Sequence, residues 1–290
     1  MSEIPDFLAV GHVTHDHVEP GRIQLGGAAL YSSLTARRLG KQAATLTSFG
    51  EDFMGLEAIE GIAAKVVPAH QTSSFRNVYD AGGRVQFVYK EAASLVPGEL
   101  PENWTRARVV YLCPVLHEFQ EEMGEAFTGS LIGVAPQGWM RTWDDAGRVR
   151  AHGWEGFECL LDRSQMVIVS EEDIANDRGV VEVFRRHAPI VIVTRAGQGA
   201  MVFAGKQALT LGAYAAVERD PTGAGDCFGA AFLVRYEESG SIEEAARFAS
   251  CVGACVVEKD GITGIPSRET VESRMRKESV SCDWRRGVNA

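Results

Sequence analysis

The sequence lacks several features that would place it in a common class of protein. No apolar run approaches the ~20 residues that a membrane span needs, so we expect a soluble protein. The first ten residues, MSEIPDFLAV, lack the basic and long apolar regions of a signal peptide. The six cysteines are scattered without the paired spacing of a metal site. Together these absences predict a reduced, cytoplasmic protein.

An excess of basic residues is also missing. The formal net charge is −10 and the isoelectric point is near 5.3, which argues against nucleic acid as the main partner. No G-x-x-x-x-G-K-[ST] loop occurs, so P-loop phosphate chemistry is excluded at the level of motifs. What the chain does have is 290 residues with 45% hydrophobic residues, enough to bury a large core. A small-molecule task fits this composition best.

Short apolar runs rich in β-branched residues alternate with helical patterns, which predicts a doubly wound sheet. The predicted buried parallel strands are 7–11, 107–112, 131–135, 165–170 and 189–194. The predicted helices are 28–39, 53–64, 172–187, 224–238 and 242–258.

One interval breaks this alternation. Residues 73–92 alternate polar with apolar side chains on both sides of the turn Asp80-Ala81-Gly82-Gly83, a pattern typical of a hairpin. The hairpin is either a flap over a site or a plain edge hairpin of the main sheet, and we favour the flap. We therefore expect one α/β domain over 1–290, with a β lid formed mainly by 73–92 and in part by 13–24.

The stretch RDPTGAGDCFGAAF, residues 219–232, places two acids around a glycine turn and then becomes almost wholly apolar. The apolar part predicts a buried helix, whose first amides are unpaired and favour an anion. Asp226, in the first helical turn, is either part of such a site or an ordinary acid at a helix start, where the helix dipole would lower its pKa. A dinucleotide fingerprint is the weaker interpretation, because the preceding residues end polar and no acid closes a following strand.

Two further glycine-containing segments and this motif follow one another in a recognisable order along the chain. Gly26-Gly27 opens an early helix, and VTRAGQGAMVF, residues 193–203, reads as strand, glycine turn and returning strand. With the motif Asp220-Pro221-Thr222-Gly223-Ala224-Gly225-Asp226, the chain resembles the ribokinase/PfkB family of carbohydrate kinases over nearly its whole length. The segments GHVTHDHV, LGGAALYSS, VAPQGWMR and SEED make it most similar to the inositol-kinase-like branch. The resemblance implies a ribokinase-like α/β fold with a mostly parallel sheet, helices on both faces and a small β lid.

The resemblance also implies roles for the glycine turn. Asp226 corresponds to the catalytic base that takes the proton of the accepting hydroxyl. The amides of Gly223, Ala224 and Gly225 correspond to the anion hole for the transferred phosphoryl group.

On the acceptor side, Asp16 matches the acid that binds substrate hydroxyls, and Gly26 and Gly27 match the family diglycine. Tyr31 stands where an asparagine is common, which argues against a ribose-like substrate. Arg141 would face the substrate or the phosphates; on the sequence alone it could equally be a surface arginine after a strand.

On the donor side, Ser170 and Asp173 occupy both positions of the family's N-x-x-E motif and depart from it at both. The residues assigned to the nucleotide are Ser170, Thr194, Gly197, Gly199, Thr222 and Gly261. Asp173 is a candidate for handling Mg²⁺, and Asp220 is a candidate for a monovalent cation such as K⁺.

The predicted function is that of an ATP-dependent kinase that uses Mg²⁺ and phosphorylates a hydroxyl of a sugar or cyclitol such as myo-inositol. The alternatives are a nucleoside kinase of the same family and a catalytically silent homologue that binds sugar or nucleotide. Neither nucleic acid nor membrane is expected as a partner, and the protein is expected to be a monomer or a homodimer.

Overall fold

The computed structural model describes residues 3–19, 21–80, 83–174 and 177–286. Within these ranges the strands, in chain order, are β1 Phe7–Val10, β2 Thr14–Glu19, β3 Arg22–Gly26, β4 Ala43–Phe49, β5 Ala63–Pro68, β6 Ser74–Asp80, β7 Gly83–Lys90, β8 Val109–Leu112, β9 Leu131–Val134, β10 Arg141–Trp143, β11 Val149–Ala151, β12 Met166–Ser170, β13 Ile190–Thr194, β14 Ala200–Ala204, β15 Gln207–Leu211 and β16 Cys282–Arg286.

The α-helices of the same ranges are α1 Ala28–Arg38, α2 Glu158–Arg163, α3 Arg178–His187, α4 Ala224–Ser239, α5 Ile242–Val257 and α6 Arg268–Lys277. Single turns of 3₁₀-helix connect other segments, at Pro97–Glu99, Glu102–Arg106, Glu121–Ala126, Pro136–Met140, Ala196–Gln198 and Gly261–Gly264.

Ten strands form one large sheet in the order β16-β15-β14-β13-β12-β9-β8-β1-β4-β5. The seven strands from β13 to β5 are parallel to their neighbours, and the last three at the other edge are antiparallel. The chain runs outward from β1 to β4 and β5 and then returns to β8 on the other side, so the strand order reverses beside β1. In such sheets ligands bind outside the carboxyl ends of the strands at this reversal.

Alternate residues of the parallel strands enter two hydrophobic cores, one on each face of the large sheet. Phe7 and Ala9 of β1 belong to the core that also contains α1, α4 and α5. Leu8 and Val10 belong to the core that contains α2 and α3. A sheet covered by helices on both faces is the predicted doubly wound α/β architecture, which is therefore confirmed.

A separate four-stranded sheet has the order β3-β2-β6-β7 and is called the small sheet below. Its β6–β7 hairpin lies in the interval 73–92, and the hairpin tip at residues 81 and 82 lies outside the described residues. Strands β2 and β3 contribute the other half as a second antiparallel pair. Both predicted segments, 73–92 and 13–24, thus contribute strands to the small sheet, and its role as a lid stays a prediction.

Two predicted helices differ from the structure. Residues 53–64 form successive turns instead of a helix, with bonds such as Ala58 N to Gly55 O, because Gly61 adopts a φ of +79° and Ala63 already begins β5. The predicted helix 172–187 starts late, at Arg178, where the Asp177 carboxylate caps the Gly179 amide. None of the helices in the described ranges is long and apolar enough to cross a membrane.

Candidate active site

Helix α4 begins directly after a left-handed glycine. Gly223 is the N-cap with a φ of +74°, and a Cβ there would overlap the ring of Tyr31, which is buried in α1. Residues 227–234 of α4 are buried, which explains the apolar run in the sequence. The amino end of this buried helix therefore points its dipole at whatever occupies the cleft before it.

The first amides of α4 differ in their hydrogen bonding. The Ala224 amide donates to the Pro221 carbonyl at 3.1 Å and the Cys227 amide to the Gly223 carbonyl at 2.9 Å. Among the described residues, no acceptor is found for the amides of Gly223, Gly225 and Asp226. The sequence-based anion hole of Gly223, Ala224 and Gly225 therefore needs correction at Ala224, whose amide already closes a tight turn.

Asp226 lies in the first turn of α4, at the floor of the cleft. Desolvation by the surrounding protein has the largest effect and raises the pKa of its carboxyl to about 7. The negative charges of Asp173 and Asp16 also raise this pKa, whereas the positive charge of Arg141 lowers it. Within the described ranges the carboxylate has no hydrogen-bond donor. The expectation that the helix dipole would depress this pKa is wrong, because burial among other acids outweighs the dipole.

Ser170, Asp173 and Arg141 meet at the carboxyl end of β12. The Ser170 hydroxyl donates to Asp173 Oδ2 at 2.5 Å and accepts from the Asp173 amide at 3.0 Å, which closes a local turn. Gln137 Nε2 donates to Asp173 Oδ1 at 3.0 Å, and Arg141 Nη2 lies 3.6 Å from the same oxygen. Arg141 is thus held at the cleft by an acid and is not a loose surface arginine.

A cavity of about 260 Å³ lies beside this pair. Val85 and Gln86 of the small sheet line one side of it, and Arg141 and Asp173 line the other. The small sheet therefore forms one wall of the cleft.

Asp16 lies over the diglycine. A Cβ on Gly26 would approach Asp16 Oδ2 to 2.5 Å, and one on Gly27 would collide with the His12 carbonyl. Gly27 also has a φ of +96°, so both positions require glycine where β3 passes close to the β1–β2 connection. The Thr14 hydroxyl donates to Asp16 Oδ1 at 3.2 Å. This packing brings Asp16 to the same cleft as Asp226, where its charge acts on the pKa.

Asp220, the other acid of the glycine motif, is saturated with protein donors. Its Oδ2 accepts from Gln24 Nε2 at 2.7 Å and from the Gly261 amide at 2.8 Å, and its Oδ1 accepts from the Thr222 amide at 3.0 Å. Although burial acts to raise the pKa of Asp220, these hydrogen bonds lower it. The carboxylate is therefore ionised and stabilised by the protein itself.

The donor-side residues lie at the carboxyl end of β13 and in the turn that follows. Thr194 ends the strand, and Ala196, at the family's first glycine position, adopts a φ of +46°. Gly199 has a φ of +89°, and a Cβ there would collide with the Leu211 carbonyl, whereas Gly197 faces open space. The left-handed conformation is thus retained at Ala196 without glycine, at a cost of about 1–2 kcal/mol.

The structure groups the predicted site residues into two sets. Asp226, Asp16, Arg141 and Asp173 interact electrostatically around one cleft, and Asp220, Thr222 and Gly261 form one hydrogen-bonded set beside it. Sequence reasoning missed Gln24 and Gln137, whose amides hold Asp220 and Asp173. Gln137 lies within the quoted segment VAPQGWMR, while nothing local distinguishes Gln24.

The carboxylates of this site suit Mg²⁺ that arrives bound to phosphates better than a metal ion that the protein holds by itself. In the part of the chain that the structure describes, no group of three or more His, Cys, Asp or Glu side chains could hold a metal ion. Magnesium is commonly held by one or two carboxylates together with substrate phosphates, an arrangement that Asp173 can serve.

Comparison with known proteins relates part of the chain to a family of kinases. Residues 165–268 match the family described as pfkB family carbohydrate kinase. A nucleoside kinase of Methanothermobacter thermautotrophicus is 26% identical over 92% of this chain and 94% of its own length. An inositol 3-kinase of Arabidopsis thaliana is 26% identical over 88% of this chain and 74% of its own length.

Solved structures of the same fold cover nearly the whole chain. A pyrophosphate-dependent kinase in the ribokinase family, complexed with a pyrophosphate analogue and myo-inositol, superposes with a TM-score of 0.77 at 23% identity, over 92% of this chain and 99% of its own. Arabidopsis thaliana ribokinase, complexed with ribose and ATP, gives 0.75 at 19% identity, over 95% and 100%. These likenesses show the fold. The family match over residues 165–268 and the kinase relatives support a carbohydrate kinase domain of the pfkB type, which is a phosphotransferase with an alcohol group as acceptor.

Proposed function

We propose that this kinase transfers the γ-phosphoryl group of ATP to a hydroxyl of a small sugar or cyclitol, with Asp226 as the general base. One observation carries the proposal: at the amino end of a buried helix lies a carboxylate with a pKa of about 7, and the described residues provide neither a donor for it nor acceptors for the amides beside it. A base that titrates near neutral pH can hold the proton of the acceptor hydroxyl as the new bond to phosphorus forms.

The residues around Asp226 stabilise the negative charge of the transferred phosphoryl group. The amides of Gly223, Gly225 and Asp226 lie at the amino end of α4, and fixed donors of this kind stabilise a transferred phosphoryl group without reorganisation. Arg141, held by Asp173, adds a cation whose charge acts on Asp226. Because phosphoryl transfer depends mainly on positioning and charge, this set is sufficient for the chain's part in the reaction.

The acceptor is expected to lie between the small sheet and α4. Asp16 reaches this space from β2, above the diglycine that keeps the backbone close. Tyr31 narrows the site from below with its buried ring.

On the donor side, we assign Ser170, Thr194, Gly197, Gly199, Thr222 and Gly261 to the nucleotide. Mg²⁺ would neutralise phosphate charge. Asp173, which stands where the family's N-x-x-E motif has its glutamate, is the carboxylate that would help to hold it. A monovalent cation at Asp220 is not needed in this proposal, because three protein donors already satisfy that carboxylate.

A nucleoside kinase is the second candidate function, favoured by the relative that covers 92% of the chain. A panel assay of donor consumption separates the candidates, with polyols, sugars and nucleosides as acceptors and ATP or pyrophosphate as donor. We expect the highest kcat/KM for ATP with a cyclitol or sugar. Turnover only with nucleosides would replace the first candidate by the second, and no turnover with any pair would favour a silent homologue.

A further inference from the structure

Gln24 links the small sheet to the glycine motif across 196 residues of sequence. It lies on β3, directly opposite Asp16 of β2 in an antiparallel pair, so both side chains share one face of the small sheet. On that face Gln24 donates to Asp220, while Asp16 acts on the pKa of Asp226. Gln24 thus contacts the first acid of the motif, and the charge of Asp16 acts on the last.

The Gln24–Asp220 hydrogen bond is short and closely surrounded by protein. The distance from Nε2 to Oδ2 is 2.7 Å, which is short for an amide and typical of a bond to an ionised carboxylate. A Cβ on Gly261 would lie 2.9 Å from Gln24 Nε2, so the glycine, with a φ of +53°, leaves room for the amide. The same glycine donates its own amide to the same oxygen at 2.8 Å.

Asp220 connects Gln24 to the turn that begins α4. Its second oxygen accepts from the Thr222 amide at 3.0 Å, and Thr222 immediately precedes the left-handed Gly223. Hydrogen bonds therefore connect β3 through Asp220 to the Thr222 amide, one residue before the Gly223–Gly225 turn.

We propose that Gln24 is a positioning residue for phosphoryl transfer: its amide fixes Asp220 when the small sheet covers the cleft and so sets the orientation of the Gly223–Gly225 turn. This inference rests on the proposed function, since it assigns that turn to the transferred group. An interaction that orients transition-state donors lowers kcat when it is lost and changes KM little.

The first test replaces Gln24 by Met, which keeps the length and removes the donor. We expect Gln24→Met to lower kcat by on the order of tenfold, with KM values within about threefold. Gln207→Met, at the exposed first residue of β15 and away from the cleft, is the matched control and should behave as the wild type. A Gln24→Met variant within twofold of wild-type kcat would overturn the proposal.

The second test uses Gln24→Glu, which places two carboxylates at hydrogen-bond distance. The charged or titratable groups around them are Asp16, Tyr31, Arg219 and Asp260; Tyr31 stays neutral because burial raises its pKa, and Arg219 is paired with Asp260 at 3.5 Å. The pair should share a proton at low pH and repel when both are ionised. We expect the ratio of Gln24→Glu to wild-type kcat to rise as pH falls from 8 to 5.5, while that of Gln24→Met stays constant. A constant ratio for Gln24→Glu would contradict a hydrogen-bond role.

A third measurement needs no turnover and so separates this inference from the proposed function. Hydrogen–deuterium exchange of peptides spanning 219–226 and 261–264 should be faster in Gln24→Met than in the wild type, and unchanged in Gln207→Met. Faster exchange in an enzyme that turns over none of the panel would leave the tether standing and reject the kinase assignment of the turn. Unchanged exchange in Gln24→Met would reject the tether.

Discussion

At the scale of single residues, Asp226 determines how the enzyme responds to pH. Its pKa of about 7 means that a fraction of the carboxyl is protonated at neutral pH, and only the ionised form can accept a proton. We therefore expect kcat/KM to rise with pH through an apparent pKa near 7 and then to level off. Measurement from pH 5 to 9 checks this, and a profile that is flat between pH 6 and 8 would count against Asp226 as the base.

The same carboxyl affects stability in the opposite direction. Its pKa in the folded protein lies above the ordinary value of 3.8, so the folded state binds more protons than the unfolded state between about pH 4 and 7. Its contribution to stability is present below pH 4 and is lost as pH rises through 7. We expect Asp226→Asn to be more stable than the wild type at pH 8, by on the order of 1–4 kcal/mol, and similar at pH 4. Denaturant titrations of both proteins at the two pH values test this, and equal stability at pH 8 would show that the carboxylate is not desolvated.

At the scale of elements, the conformation at the start of α4 depends on Gly223 and not on Gly225, two residues later. Gly223→Ala would place a Cβ at a φ of +74° and against the Tyr31 ring, whereas Gly225→Ala would meet nothing within 4 Å. We expect the first change to lower the free energy of unfolding by about 2–4 kcal/mol and the second to leave it nearly unchanged or slightly increased. Thermal melting of the two variants tests this pairing. Equal melting temperatures would contradict the described packing of α1 against the turn.

The elements that the sequence predicted correctly are those with strong apolar periodicity. The five buried strands and the helices α1, α4 and α5 are found close to their predicted positions, because burial on both faces leaves a continuous apolar pattern. The segment 53–64 has helical periodicity, but its glycines and its pairing with β4 favour turns and a strand. Polar contacts between distant segments, such as Gln24 with Asp220, leave no local pattern, and the pKa of Asp226 depends on burial that only the fold supplies.

At the scale of the whole molecule, the small sheet is a separate layer that shares Phe75 and Val88 with a core of the large sheet. Its outer strand β7 meets the β10–β11 hairpin, where the Val88 amide donates to the Gly147 carbonyl at 2.8 Å, and Lys90 pairs with Asp52 at 3.1 Å. Because this separate layer contacts the site through Gln24 on β3 and through Val85 and Gln86 on β7, we propose that it is the lid of the active site.

This proposal predicts that ligands protect the small sheet from proteases. Closure over both substrates excludes water and orders the covering segment. We expect limited proteolysis within residues 80–83 to slow when nucleotide and polyol are both present, and less so with nucleotide alone. Equal cleavage with and without both ligands would argue against a mobile lid.

The central claim, that Asp226 is the base of phosphoryl transfer, is tested most directly by the turnover of Asp226→Asn. The amide keeps the shape of the side chain and removes the proton acceptor, so kcat should fall by roughly 10²- to 10⁴-fold, the usual contribution of a general base. Substrate affinity should change little. The measurement is donor consumption at pH 8 under saturating substrates, with the fold of the same preparation checked by thermal melting. A folded Asp226→Asn variant with nearly wild-type turnover would contradict the claim.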